Sequence, residues 1–257
     1  VFHEGFVAGD VGTPLLSFDE GTAATAAAAV LDRHGVGVAG VRRDGLVTAW
    51  VERTRLTGGT CGEHAVTFHG AAVMDATASL GEVVRVLRTE PRVFLRSLGF
   101  VAATVTRADV QKPPARMWLF GMVTLIEMRI TRMIEDRFPG GAWSSLLSEG
   151  RRAKAEELRA ERVRRGENPT LTDCLQLSDK GQIVARCEDL RGRTPFRSRG
   201  EAERAVKALE QLRNSLAHAQ TIATDDWEDI ARLAERLDGV LLDPPGQAAP
   251  DSARPAG

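Results

Sequence analysis

The sequence predicts an α+β chain in two parts, with repeats of a helix plus short β-strands over residues 1–113 and an all-helical bundle over 114–243. A tail follows from 244 to 257. Three observations carry this. A helix followed by two β-like segments occurs twice in the first half. Lys112-Pro113-Pro114-Ala115 then breaks the β pattern, because proline cannot continue a strand ladder but suits the first turn of a helix. After Pro114 the apolar residues recur at helical spacing in four or five stretches.

Composition narrows the classes. A chain of 257 residues with 43% apolar residues has enough material for two cores. A net charge of −1 excludes a protein coated in positive charge for nonspecific duplex binding, so any nucleic-acid contact is local. Cys61, Cys174 and Cys187 are odd in number and widely spaced, which supports neither a disulfide framework nor a zinc site and points to a reducing, cytoplasmic location. His3, His34, His64, His69 and His218 include no HxH or HExxH spacing, so a metal-dependent hydrolase is disfavoured. The sequence contains no 18-residue apolar run and no signal-like start, and no membrane partner is expected.

In chain order, Asp19-Glu20-Gly21-Thr22 offers an N-cap for an alanine-rich helix over 22–34. Gly35-Val36-Gly37-Val38-Ala39-Gly40 matches GxGxxG, but that fingerprint needs a strand before it and a helix after it, and here the order is reversed. The segments 36–41 and 46–51 instead read as a hairpin about Asp44-Gly45. The order then returns: a cap in Asp75-Ala76-Thr77-Ala78-Ser79, a helix over 80–87, and strands over 93–95 and 100–105.

This repeat resembles a tandem pair of CBS (cystathionine β-synthase) motifs, the first over about 10–56 and the second over about 64–112. The strand ends carry the likeness, Gly45-Leu46-Val47-Thr48 in one copy and Val105-Thr106-Arg107-Ala108-Asp109-Val110 in the other. The resemblance implies a cleft for an adenine nucleotide such as AMP, ADP or ATP, with Thr106 at phosphate and Asp109 accepting from the ribose hydroxyls. In the first copy the place three after Thr48 is Val51, and Glu52 comes one place late, so one ligand site per pair is expected. Thr106 and Asp109 can equally cap the following turn, and the two roles are compatible.

In the second half a long helix is expected over 116–138, with Leu119, Met122, Ile126, Ile130 and Met133 on a wide apolar face. Glu127 lies among apolar neighbours, either as a rim charge paired with Arg129 or Arg132 or as a group that orients an active-site base. Phe138-Pro139-Gly140-Gly141 ends this helix, and Trp143 to Leu147 begins another. Arg151 to Arg165, with seven basic and three acidic residues, reads as a solvated helix face, and its lack of aromatics argues against base stacking. Further helices are expected after Leu171, over 201–219 and over about 225–242.

The helix over 201–219 contains Arg213-Asn214-x-x-x-His218. Leu209, Leu212, Leu216 and Ala219 form one stripe, and Asn214 and His218, four apart, share another face. The string resembles the signature of HEPN domains, all-helical modules that include many metal-independent ribonucleases. That resemblance implies RNA cleavage by attack of the 2′-hydroxyl on the adjacent phosphate, with His218 in proton transfer, Arg213 stabilising the extra negative charge and Asn214 orienting. It also implies a homodimer that joins two such helices, with no metal or other cofactor required for catalysis. Glu127 is the candidate supporting acid.

Two functions therefore stand against each other. One is an adenine-nucleotide-regulated endoribonuclease. The other is a non-catalytic CBS-type sensor whose bundle binds a protein or nucleotide partner.

Overall fold

The computed structural model describes residues 5–218 and 220–222. After the single turn α1 (Ala8–Val11), the first half contains β1 (Thr13–Pro14), β2 (Ser17–Asp19), α2 (Ala24–His34), β3 (Val38–Arg43), β4 (Leu46–Glu52), β5 (Val66–Thr67), β6 (Val73–Asp75), α3 (Leu80–Val86), β7 (Arg92–Ser97) and β8 (Phe100–Thr106). These strands make two four-stranded sheets, β2-β3-β4-β5 and β1-β8-β7-β6. Each unit therefore lends its opening strand to the other: β1 precedes the first unit but pairs with β8, and β5 precedes the second but pairs with β4.

The two units match in detail. β2 runs parallel to β3 with Asp19 opposite Arg42, and β6 runs parallel to β7 with Asp75 opposite Arg96. Both hairpins carry a register shift at the same place, Val41/Arg42 and Leu95/Arg96. Both turn through two residues of positive φ, Asp44 and Gly45 (52° and 80°) and Leu98 and Gly99 (50° and 88°), the backbone a tight hairpin of right-handed twist requires. α2 buries Ala24, Ala27, Ala28 and Leu31 and closes on Gly35, whose φ of 64° suits a helix end. α3 starts at Ser79, whose hydroxyl accepts from Glu82 N at 3.2 Å while the Glu82 carboxylate takes Ser79 N at 2.8 Å.

The expected cap on α2 is different. Ala23 occupies the N-cap with no side-chain bond, because the β2/β3 register commits Asp19 to Arg42 and Glu20 to Arg43, at 2.9 and 2.8 Å.

The second half begins with α4 (Pro113–Arg137), which buries Ala115, Trp118, Leu119, Met122, Val123, Ile126, Met133 and Ile134. Gly140 and Gly141, at φ 78° and 85°, turn the chain in place of the expected second helix start, and the 139–146 segment is a kinked 3-10 run. α5 (Glu149–Arg164) buries only Ala155, as a solvated face should. α6 (Leu177–Arg186) is the central helix, with Leu177, Asp179, Lys180, Gly181, Ile183, Val184 and Ala185 all buried. The short α7 (Glu188–Gly192) and the long α8 (Arg199–Ala217) follow, with Ser198 capping α8 through Glu201 N. The expected helix over 225–242 and the tail over 244–257 lie outside the described residues.

Three apolar cores hold these elements. One lies under α2 within the first unit, and one gathers the far end of α4 with α5, α6 and α7. The middle core runs across Pro113: Val11, Leu80, Val93, Leu95 and Val105 pack with Trp118, Leu119 and Met122 of α4 and Leu209 and Leu212 of α8. The proline break thus marks a change of secondary structure, and the apolar packing continues through it.

Candidate functional site

β8 ends at Thr106, and a 3-10 turn over Arg107–Gln111 leads through Lys112 into α4. Asp109 folds back on the strand end. Its Oδ2 accepts from Thr106 N at 2.6 Å and Thr106 Oγ1 at 2.9 Å. Its Oδ1 receives Lys112 Nζ at 2.7 Å and Thr13 Oγ1 at 3.3 Å. The Lys112 ammonium also donates to Val11 O at 2.6 Å and Thr13 Oγ1 at 2.7 Å. The Asp109 side chain is only 11% exposed. The capping role is therefore realised, and both Asp109 oxygens are engaged within the protein.

The equivalent position in the first unit differs from the sequence expectation. Arg92 stands opposite Thr106 in the second hairpin, and Val38 stands opposite Glu52 in the first. Glu52, not Thr48, is thus the counterpart of Thr106, and Arg55, not Val51, is the counterpart of Asp109. The chemistry is inverted there, with an acid at the hydroxyl position and a cation at the acid position. Glu52 faces Arg55 at 3.9 Å and Arg92 at 3.7 Å. The Arg92 guanidinium lies 5.4 Å from the centre of Trp50, and its Nε is buried without a hydrogen-bond partner among the described residues. Trp50 meets Phe94 at 5.3 Å, and Phe68 meets Phe94 edge-on at 4.8 Å. Rings and a cation fill this side, whereas Phe94's counterpart in the first sheet is Gly40.

The second candidate constellation sits at the end of α8. Arg213 and Asn214 lie in its last turns and His218 is its C-cap residue, whose N–H still bonds Asn214 O at 3.0 Å. All three side chains are exposed, and none has a side-chain partner among the described residues. The helix end itself is held from a distance. Arg116 of α4 donates to Gln220 O at 2.9 Å, Ser215 O at 3.0 Å and Leu216 O at 3.4 Å, supplying donors to carbonyls that a helix end leaves open. Gln111 makes a two-way bond with Ile222, Nε2 to O at 2.8 Å and Ile222 N to Oε1 at 3.2 Å. Sequence reading missed Gln111, Lys112 and Arg116, because nothing local to them announces partners about a hundred residues away.

Glu127 is not part of this constellation. Its Oε1 accepts from Lys180 Nζ at 3.0 Å, in place of the expected Arg129 or Arg132. It lies eleven residues beyond Arg116, about 16 Å along the helix, so it answers a buried cation of α6 and not His218.

A separate open cleft of about 720 Å³ lies at the far end of the bundle, lined by Phe138, Trp143, Arg152, Arg159 and Glu135 among others. Its charges are largely answered locally: Arg152 faces Glu156 at 3.5 Å, Arg159 donates to Pro169 O, and Glu135 accepts from Thr170. Among the described residues no cluster of three or more His, Cys, Asp or Glu is placed to hold a metal ion, and no helix is long and apolar enough to cross a membrane.

No family model and no curated protein matches the chain. Among solved structures it is similar over part of its length to CBS-domain pairs. CBSX2 in complex with AMP shares 18% identity at a TM-score of 0.38, over 44% of this chain and 98% of that one. Hypoxic Response Protein I with two coordinated zinc ions shares 23% at 0.34, over 40% and 95%. The CBS domain of a bacterial CNNM/CorC family Mg2+ transporter in complex with ATP shares 14% at 0.35, over 42% and 85%.

Proposed function

We propose that the first half of the chain is a CBS-type sensor of an adenine nucleotide, and that the helical half is the element whose partner binding it controls. The observation that supports this most is the inequality of the two unit ends. One offers a hydroxyl, a carboxylate and an ammonium in Thr106, Asp109 and Lys112, while the other carries Glu52 and Arg55 beside Trp50 and is met from β7 by Arg92 and Phe94. A carboxylate can accept from two adjacent ribose hydroxyls, and an ammonium beside it suits a phosphate. A single nucleotide per chain follows. Titration calorimetry with AMP, ADP and ATP tests it: one site is expected, lost in Asp109→Ala and retained in Glu52→Ala. Absence of heat with all three nucleotides, or equal loss in both variants, overturns the reading.

A second reading gives the helical half an activity of its own, metal-independent RNA cleavage by a homodimer. What favours it is that Arg213, Asn214 and His218 stand exposed at one helix end with no protein partner among the described residues, leaving a guanidinium and an imidazole free for a phosphodiester. Here His218 moves the 2′-hydroxyl or leaving-group proton and Arg213 stabilises the phosphorane charge. Incubation with mixed RNA in EDTA is the test. Cleavage that disappears in His218→Ala supports this reading, and no cleavage with or without nucleotide rejects it.

A further inference from the structure

Asp109 and the Arg213/His218 helix end belong to different halves of the chain, yet one short segment touches both. The 3-10 turn over Arg107–Gln111 is pinned at its start by Arg107, which donates to Leu87 O at 2.8 Å and Arg88 O at 3.1 Å at the end of α3. Asp109 sits in its middle, and Gln111 at its end holds Ile222. The next residue is Lys112, and one turn on is Arg116 with its grip on Ser215, Leu216 and Gln220. Among the described residues, the side chains that hydrogen-bond the backbone at and just beyond the end of α8, Gln111 and Arg116, thus lie within seven residues of the candidate ligand carboxylate.

We infer that this segment is a clamp that nucleotide binding releases. The inference rests on the sensor reading and adds its means of control. In the structure Oδ1 of Asp109 is taken by Lys112 and Thr13. A ligand whose hydroxyls donate to Asp109 competes for that oxygen. Lys112 then gives up its 2.7 Å ion pair, and its ammonium turns towards the ligand's phosphate. Lys112 is the N-cap of α4, covalently between Gln111 and the turn that carries Arg116, and its ammonium ties this segment to Val11 and Thr13; with those bonds given up the segment shifts, and both side chains leave their acceptors. The carbonyls at the end of α8 lose their donors, and the turn bearing His218 loosens. The unliganded protein is the clamped state, and the Trp50–Phe94 contact between the two sheets serves as the fixed point against which the segment moves.

Hydrogen exchange measured together with calorimetry tests this. With AMP or ATP bound, amides in 211–218 and at Gln220 exchange about tenfold faster, the effect of losing one or two hydrogen bonds, while those of α6 are unchanged. Lys112→Met, which removes the ion pair without ligand, exchanges at the faster rate in 211–218 from the start, and nucleotide adds nothing. Retained protection of Ile183 to Ala185 shows that the variant is folded. If nucleotide binds and exchange at 211–218 does not change, the clamp is overturned and the sensor reading stands. If neither nucleotide binds, the sensor reading falls and the nucleotide-released clamp is overturned with it.

Discussion

Lys180 places its ammonium 3.0 Å from the Glu127 carboxylate with its own side chain only 6% exposed, so a cation from α6 is buried against a single acid from α4. Next to it Asp179, also buried, pairs with Arg151 of α5. Consecutive residues of the central helix are thereby answered by two different helices, which fixes its rotation.

Removing Glu127 leaves that ammonium buried and unpaired. Glu127→Ala is expected to destabilise the protein by about 2–3 kcal/mol, whereas Lys180→Met, which removes the charge and keeps the volume, costs less than about 1 kcal/mol. Urea denaturation of both variants checks this. Equal losses would mean that the pair contributes through packing alone.

Gly181 of α6 faces Val206 of α8, and a Cβ there would overlap the Val206 side chain. Gly181→Ala is expected to cost about 2 kcal/mol or more through overpacking. Val206→Ala in the same chain should recover most of it, a coupling that a double-mutant cycle measures directly.

Leu98 is 95% exposed and holds φ at 50°, a backbone region that penalises a branched side chain. Its counterpart in the first hairpin is Asp44. Leu98→Asn is expected to raise stability by about 0.5–1 kcal/mol without altering the register, and Leu98→Val to lower it. Thermal melting orders the three.

The capping box on α3 has a pH signature. The Glu82 carboxyl is held below the usual carboxylate range, first by the Ser79 N–H and then by the Ser79 hydroxyl. A lowered folded-state pKa means that protons bind the unfolded chain more readily, so this stabilisation is complete above about pH 4.3 and declines as pH falls below it. Ser79→Ala should cost about 1 kcal/mol at neutral pH and flatten the decline between about pH 4.5 and 3. Denaturation midpoints over that range report both.

At the end of α8, exposure separates probes from supports. Arg213→Ala and His218→Ala should change stability by less than about 0.5 kcal/mol, which makes them clean tests of RNA cleavage. Arg116→Ala removes donors from the carbonyls of Ser215, Leu216 and Gln220 and is expected to cost about 1–2 kcal/mol. A larger loss in His218→Ala than in Arg116→Ala would reverse this division.

Local pattern settled much of the architecture. The alanine run made α2, Asp44-Gly45 made the first hairpin, Pro113 started α4, and the spacing of Leu209 and Leu212 made the buried face of α8. Each of these is a property of neighbours in the chain, where helical and strand periods and turn residues act. The candidate residues Thr106, Asp109, Arg213, Asn214 and His218 could be named for the same reason, as short strings on recognisable elements.

What those residues touch was decided only by the tertiary structure. Strands of two residues, such as β1 and β5, are too short to show a period, so their exchange between the sheets is invisible in the sequence. The alignment of the two unit ends depends on ladder register, which moved the counterpart of Thr106 from Thr48 to Glu52. Thr13 meets Asp109 across 96 residues and Gln111 meets Ile222 across 111, pairings set by how the cores pack and by no local spacing. Lys180 likewise claimed Glu127 because a buried ammonium must find an acid wherever the fold brings one. The sequence determined which elements form and which residues could do chemistry; the fold determined which of them are free to do it.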